Sequence, residues 1–221
     1  MSVRKVEITR IRSDGSTKTL EDSVASDAAV CVFVDGEFYR TLVASPEMLE
    51  ELVVGHLYTE GVVSSHTDIV ELTVQPERVD VSLRYPVNLS EITMGKSRLL
   101  TTACAASPGF RPGSVRMVQP VEDLDAALIH GVVDELNRMS TVFRETGGTH
   151  SALIHHRDDG VVAFAEDVGR HNALDKVIGR CLLDGVDLSR CVLASSGRLA
   201  GEMVLKAAAA GIPVVCSVSA P

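Results

Sequence analysis

Val161-Val162-Ala163-Phe164-Ala165-Glu166-Asp167-Val168-Gly169-Arg170-His171-Asn172-Ala173-Leu174-Asp175-Lys176-Val177-Ile178 is the stretch that decides the fold. It opens as a short apolar run of strand type. It closes with Leu174, Val177 and Ile178 at helical spacing. Between the two lies a polar turn from Glu166 to Asn172. The passage therefore reads as a strand that passes directly into a helix. The same grammar continues on both sides of it, with strands at 152–155 and 161–165, a helix at 170–183, a strand at 191–194, a helix at 201–210 and a strand at 213–218. Alternation of this kind predicts an α/β sheet with helices against its faces.

Upstream, a long helix is expected at 122–144, with Leu124, Leu128, Val132, Leu136, Met139 and Phe143 recurring at helical spacing. The first 85 residues read as mostly β: an alternating strand at 3–10, an apolar run at 28–34, an Asp35-Gly36 turn into 37–43, and a strand pair at 69–74 and 79–83. One helix interrupts them. Ser45 is its expected N-cap, Pro46 its first residue and Gly61 its stop, and Met48, Leu49, Leu52, Val53 and Leu57 form its apolar face. Residues 86–120 are rich in Pro and Gly and locally basic through Lys96, Arg98, Arg111 and Arg116. A connection this long is usually functional or mobile. The expected organisation is thus a mostly β N-terminal part at 1–85, a loop at 86–120 and an α/β core at 121–221.

Composition narrows the function classes. The net charge of −9 argues against a nucleic-acid backbone as a partner. No apolar run approaches the ~20 residues of a membrane span, and the N-terminus lacks the apolar region of a signal peptide. The cysteines number five, with no framework spacing, which suits a reducing cytoplasm. Cys31, Cys181, Cys191 and Cys216 sit in apolar surroundings and read as small core residues.

In open α/β sheets ligands collect where strands end and helices begin. The first N–H groups of a helix lack internal partners and the dipole is positive there, so a phosphate or carboxylate is favoured. The first junction offers Glu166, Asp167, Gly169, Arg170, His171 and Asn172, with Lys176 further along the helix. A cap by Asp167 explains one acid, but it does not explain Arg, His and Asn where a helix ordinarily recruits acids. The second junction, after the strand at 191–194, offers Ser195, Ser196, Gly197, Arg198 and, a turn later, Glu202. The serines can cap, Gly197 allows close approach to the backbone, and Arg198 can grip a planar anion through paired hydrogen bonds. Thr146-Gly147-Gly148-Thr149-His150 adds a third element. Gly147 and Gly148 can simply end the long helix, while His150 precedes a strand and can face the same ligand. His155 and His156 flank a turn and read as exposed bystanders.

Cys104 lies among small residues in Thr101-Thr102-Ala103-Cys104-Ala105-Ala106-Ser107-Pro108-Gly109. Nearby cations such as Arg98 and Arg111 would favour its thiolate. It has no cysteine neighbour, so neither a redox pair nor a thiolate metal site is expected, and no intrinsic metal with it.

Several of these stretches resemble the formate dehydrogenase accessory sulfurtransferase family, the FdhD proteins. They are Thr146 to Ala152, the block from Glu166 to Lys176, Ser196-Gly197-Arg198, Ala209-Ala210-Gly211-Ile212-Pro213 and Ser217-Val218-Ser219-Ala220-Pro221, with Glu51 to Gly61 similar to the family's N-terminal helix. The resemblance implies a cytidine-deaminase-like α/β core. It implies a sulfur carrier that accepts persulfide sulfur from a cysteine desulfurase and passes it to the molybdenum or tungsten bis-guanine-dinucleotide cofactor, bound as a client before insertion into apo formate dehydrogenase. It assigns the persulfide to Cys104 and the cofactor contacts to the two junctions, in a cytoplasmic homodimer. The family commonly carries a Cys-Gly-x-Cys-Gly loop, whereas Cys104 here stands alone, which keeps open a non-catalytic molybdenum cofactor-binding chaperone. Relatives are also expected to continue for one more strand–helix–strand unit past Pro221. A zinc hydrolase of the deaminase type is excluded, because its His-x-Glu and Pro-Cys-x-x-Cys do not occur.

Overall fold

The computed structural model describes residues 2–93, 99–100, 118–121 and 124–219. The chain runs β1 (Val3–Ile11), β2 (Thr17–Ala25), β3 (Ala28–Val34), β4 (Glu37–Ala44), α1 (Leu49–Thr59), β5 (Ile69–Gln75), β6 (Arg78–Leu83), α2 (Leu89–Thr93) and β7 (Leu99–Leu100). It continues α3 (Ala126–Met139), α4 (Thr141–Thr146), β8 (His150–His156), β9 (Gly160–Asp167), α5 (Arg170–Leu183), β10 (Cys191–Ser195), α6 (Gly201–Ala209) and β11 (Val214–Ser217). The fold is mixed α/β, as the alternating pattern predicts.

The strands form a β1-β2 hairpin, a five-stranded sheet in the order β5-β6-β3-β4-β7 and a four-stranded sheet in the order β11-β10-β8-β9. In the last of these, β8 runs antiparallel to both β9 and β10, and β10 runs parallel to β11. The ends of β9, β10 and β11 and the start of β8 therefore lie at one edge, with His150 opposite Asp167 and Ser195 opposite both Ala152 and Ser217. Every residue proposed from the strand ends is carried to this edge by topology.

Successive strand residues face opposite sides. Ala152, Ile154, Cys191 and Leu193 enter the main core with α1 and α5, whereas Leu153, Val192 and Ala194 meet Val132 and Leu136 of α3. Burial on both faces explains why 191–194 reads as an unbroken apolar run. The main core is continuous across the chain: Val30 and Val32 of β3, Leu52 and Leu57 of α1, and Leu174 and Ile178 of α5 belong to it together.

Helices α1 and α5 touch backbone to backbone. A Cβ added at Gly55 would lie 1.9 Å from the Asp175 carbonyl oxygen, and one at Gly179 would lie 1.9 Å from the Glu51 carbonyl oxygen. This close approach brings polar side chains of the two helices within hydrogen-bond reach.

Three local expectations are corrected. The long helix breaks at Ser140 into α3 and α4, because the Ser140 hydroxyl donates back to the Leu136 carbonyl and is shared with the Ser151 hydroxyl at 2.6 Å. Helix α1 begins at Leu49, capped by Met48 in the left-handed region (φ 56°), and not at Ser45-Pro46. His156 is buried, with Nδ1 2.9 Å from Asp159.

Gly55→Ala or Gly179→Ala is expected to lower stability by about 1–3 kcal/mol or more, because the helices must separate. Gly131→Ala in α3, where a Cβ meets nothing within 4 Å, is expected to be neutral or stabilising. Denaturant melts check this, and equal effects at the three sites would refute the backbone contact.

Candidate functional site

Residues of the first junction divide by environment. The Asp167 carboxylate is fully buried. It pairs with Lys176 at 2.6 Å, accepts from the Ser45 amide at 2.9 Å and the Gly169 amide at 2.8 Å, and accepts from the Asn172 amide group at 3.0 Å. Lys176 also donates to the Ser45 carbonyl, and Asn172 to the Val43 carbonyl. Ser45, read from sequence as a helix cap, instead ties the end of β4 to the start of α5. Glu166 points the other way: it accepts from the Val142 and Phe143 amides at 2.9 and 2.8 Å and from the Thr149 hydroxyl, capping α4 from a distant strand. Asp167 does not cap α5 with its side chain; Gly169 occupies the N-cap position. The carboxylates, Asn172 and Lys176 are thus engaged with internal partners.

The glycines and serines also have structural work. Gly147 ends α4 at φ 66°, and a Cβ on Gly148 would lie 2.9 Å from the Ala25 Cβ. Helix α6 begins only at Gly201, with Ala200 at its N-cap, so Ser195 and Ser196 do not cap it. Ser195 accepts from the Gly197 amide, and Ser196 accepts from the Ser151 amide, shaping the turn after β10.

What remains for a ligand is cationic and imidazole. Arg170 is 8% exposed, and its Nε has no hydrogen-bond partner. Its stem lies across Gly197, where an added Cβ would sit 2.9 Å from the Arg170 Cβ, so only glycine fits. Arg198 is exposed. His150 lies close enough to both arginines for their charges, after the larger effect of burial, to hold its pKa below the ordinary value. His171 is pushed down to about 4 by burial first and then by Lys206 and Arg170, and its Nε2 is 3.3 Å from Glu202. Arg170, His171, His150, Arg198, Gly197 and Glu202 are therefore gathered at one end of the sheet. Cys104, with Arg98 and Arg111, lies outside the described residues. Among the other cysteines, burial pushes the Cys181 and Cys191 thiols up to about 12, away from reactivity.

Behind this edge is a buried polar hub that sequence reasoning missed. Asp175 of α5 accepts from Lys206 of α6 at 2.7 and 2.9 Å, from the Thr59 hydroxyl at 2.9 Å and from His56 Nδ1 at 3.1 Å. Arg40 of β4 stands 3.4 Å from His56 Nε2 and 3.6 Å from Glu60, and Lys206 stands 3.5 Å from Glu60. A guanidinium can only donate. His56 Nε2 is therefore an acceptor and Nδ1 carries the proton toward Asp175, so the ring is neutral. Burial, the largest cause, lowers the His56 pKa. Despite burial, the Lys206 charge holds Asp175 below the usual carboxylate range. Among the described residues there is no group of His, Cys, Asp and Glu arranged to hold a metal ion, and no helix long and apolar enough to cross a membrane.

Fold and site together define a mixed α/β protein with a glycine-lined cationic edge suited to an anionic ligand. The chain belongs to the FdhD/NarQ family, which it matches over residues 25–221. Curated relatives named sulfur carrier protein FdhD include one from Shouchella clausii, 32% identical over 94% of this chain and 80% of its own length. Another, from Bacillus licheniformis, is 34% identical over 94% of this chain and 81% of its own length. A third, from Sulfurisphaera tokodaii, is 30% identical over 100% of this chain and 87% of its own length. The fold is similar to a crystal structure from Desulfotalea psychrophila described as a candidate formate dehydrogenase accessory protein, with a TM-score of 0.78, 24% identity and coverage of 100% of this chain and 85% of that one.

The low pKa values of His56 and His171 link stability to pH. An unfolded histidine takes up its proton near pH 6.5, while these two resist it in the fold. Their contribution is present above about pH 6.5 and is lost as pH falls below it. The thermal midpoint is expected to fall between about pH 7 and pH 5, less steeply in His56→Gln; a flat profile would contradict the neutral assignments. Lys206→Met, which strands the Asp175 charge, is expected to cost about 3–5 kcal/mol in the same melts.

Proposed function

We propose that this chain is a sulfur carrier protein in the maturation of formate dehydrogenase. The observation that carries the reading is the family match together with alignment over 94% of this chain to relatives named sulfur carrier protein FdhD. In this reading, the Cys104 thiolate attacks the outer sulfur of a persulfide on a cysteine desulfurase, the donor's S–S bond breaks, and the donor cysteine leaves as its thiolate. The sulfur, now a persulfide on Cys104, is presented to a molybdenum or tungsten bis-guanine-dinucleotide cofactor held as cargo and destined for apo formate dehydrogenase. The protein acts in the cytoplasm as a homodimer and needs no metal of its own.

The junction residues suit such a cargo. Arg170 offers a buried, unpartnered Nε beside Gly197, and Arg198 offers an exposed guanidinium. Both match phosphate geometry. His150 and His171 add ring contacts, and the start of α5 adds its dipole. Gly147, Gly148, Glu166, Asp167, Gly169, Asn172, Lys176, Ser195 and Ser196 shape the site through the internal contacts described above. A cytidine-deaminase-like core is part of the same reading, supported by the mixed four-stranded sheet with α5 and α3 on opposite faces.

The lone Cys104 favours one second reading, a cofactor-binding chaperone that transfers no sulfur. Incubation with a cysteine desulfurase and cysteine, followed by intact mass measurement, separates the two. The sulfur carrier gains one sulfur atom in the native chain and none in Cys104→Ala. An unmodified native chain that still binds the cofactor establishes the chaperone instead.

A further inference from the structure

The β1-β2 hairpin is tied to the rest of the chain at its base. The Ser2 amide donates to Glu47 at 2.9 Å. The Ser23 hydroxyl and the Lys5 ammonium donate to Glu145 of α4 at 2.8 and 3.4 Å, and Ala25 lies against Gly148. From this base the ladder runs through nine cross-strand pairs, Val3 with Ala25 to Ile11 with Thr17, out to a turn at 12–16. That is about 30 Å of paired strand. Residues 9–19 are exposed. A two-stranded hairpin standing by itself is marginally stable in water, so this one gains from a cover.

Residues paired across an antiparallel ladder share a face. Lys5, Ser23 and Ala25 lie on the face turned toward α4. The opposite face carries, from base to tip, Arg4 with Val24, Val6 with Asp22, Ile8 with Leu20, and Arg10 with Lys18. Val6, Ile8 and Leu20 are half-buried and Val24 is 37% exposed. Among the described residues, these four pack against neither apolar core. Toward the tip, Arg10 and Lys18 stand directly opposite each other, and like charges so placed destabilise a hairpin. Asp22 of the same copy lies 4.0 Å from Arg10. The face thus has an apolar centre, an acid on its base side and two cations on its tip side.

We propose that this hairpin face is an interface and that its occupant is the same face of a second copy of the chain. The order of its charges selects that occupant. A two-fold axis through the Ile8–Leu20 level brings these residues against their own counterparts. It also exchanges the level on the base side with the level on the tip side. Asp22 of one copy then meets Lys18 and Arg10 of the other. Each copy supplies the acid that the other's like-charge pair needs, and the long cationic stems cover Val6. The inference rests on the homodimer of the proposed function, to which it gives an interface, and it needs nothing from the sulfur-transfer or cofactor steps. One hairpin face per copy is small for an interface, so association is expected to be modest.

Sedimentation equilibrium of the full chain tests this, with thermal melts to follow the fold. The native chain is expected to dimerise with a Kd of about 1–10 μM. Leu20→Glu acts twice in a two-fold interface and should weaken association at least about a hundredfold. Asp22→Lys sets cations against cations and should weaken it about tenfold or more. Adding Arg10→Glu and Lys18→Glu to Asp22→Lys should restore the dimer, a recovery that mere loss of hairpin structure would not allow. Glu7→Lys, on the face turned toward α4, should leave association unchanged. A dimer that withstands both Leu20→Glu and Asp22→Lys, or a triple variant that associates no better than Asp22→Lys, would overturn the proposal while leaving the homodimer itself standing. A native chain that remains monomeric at about 100 μM, well above the expected Kd, removes the interface and the homodimer together and leaves the sulfur-carrier reading untouched.

Discussion

A carboxylate buried without compensation is among the most costly features a protein core can hold, and Asp175 is 1% exposed. It is tolerated because three hydrogen-bonding side chains converge on it: His56 and Thr59 from α1 and Lys206 from α6. The same convergence fixes how these helices sit against α5. Glycines at positions 55 and 179 make the approach of α1 and α5 possible, and the polar contacts then make that approach specific. Arg40 and Glu60 complete the charge balance of two acids against two cations. If Asp175 loses its partners, α6 loses its anchor, and with it the placement of Glu202 against His171.

A second buried pair performs the corresponding task at the strand end. Asp167 and Lys176 neutralise each other and hold Ser45, so the end of β4, the end of β9 and the start of α5 are tied at one point. Charges that look available in the sequence are thereby consumed in pairs. Among the described residues, the cations left over at the edge where β9, β10 and β11 end are Arg170 and Arg198. An acidic chain of net charge −9 can therefore present a locally positive edge, because there Glu166 caps α4 and Asp167 is paired with Lys176, while Glu202 faces His171.

Much of this was legible in the sequence. The strand and helix pattern from 152 to 218 follows from side-chain period alone, and the burial of both sheet faces is written in the apolar runs. The junctions were visible because Arg170 and His171 stand where helices recruit acids. The hub was not visible. His56, Asp175 and Lys206 are far apart in the chain, each lies within an otherwise ordinary helix, and periodicity carries no information about which helix faces which. Ser45 misled for a related reason: Ser-Pro-Glu satisfies the local rules for a helix start, but the buried Asp167 claims that serine for a tertiary contact, and α1 begins later. Glu166 stands in a dense polar block and reads as a ligand contact, whereas its oxygens cap α4 across the fold. Local rules identify which residues are unusual; tertiary partners decide what they do.

In the proposed function both junctions form one ligand site, with Arg170 and Arg198 as its phosphate contacts. A crystal structure of the full chain grown with GDP tests it most directly. The diphosphate is expected against these two guanidinium groups and the N-terminus of α5, with Asp167, Lys176 and Asp175 retaining their internal partners. Density for the nucleotide at another surface, with Arg170 and Arg198 uncontacted, would contradict it.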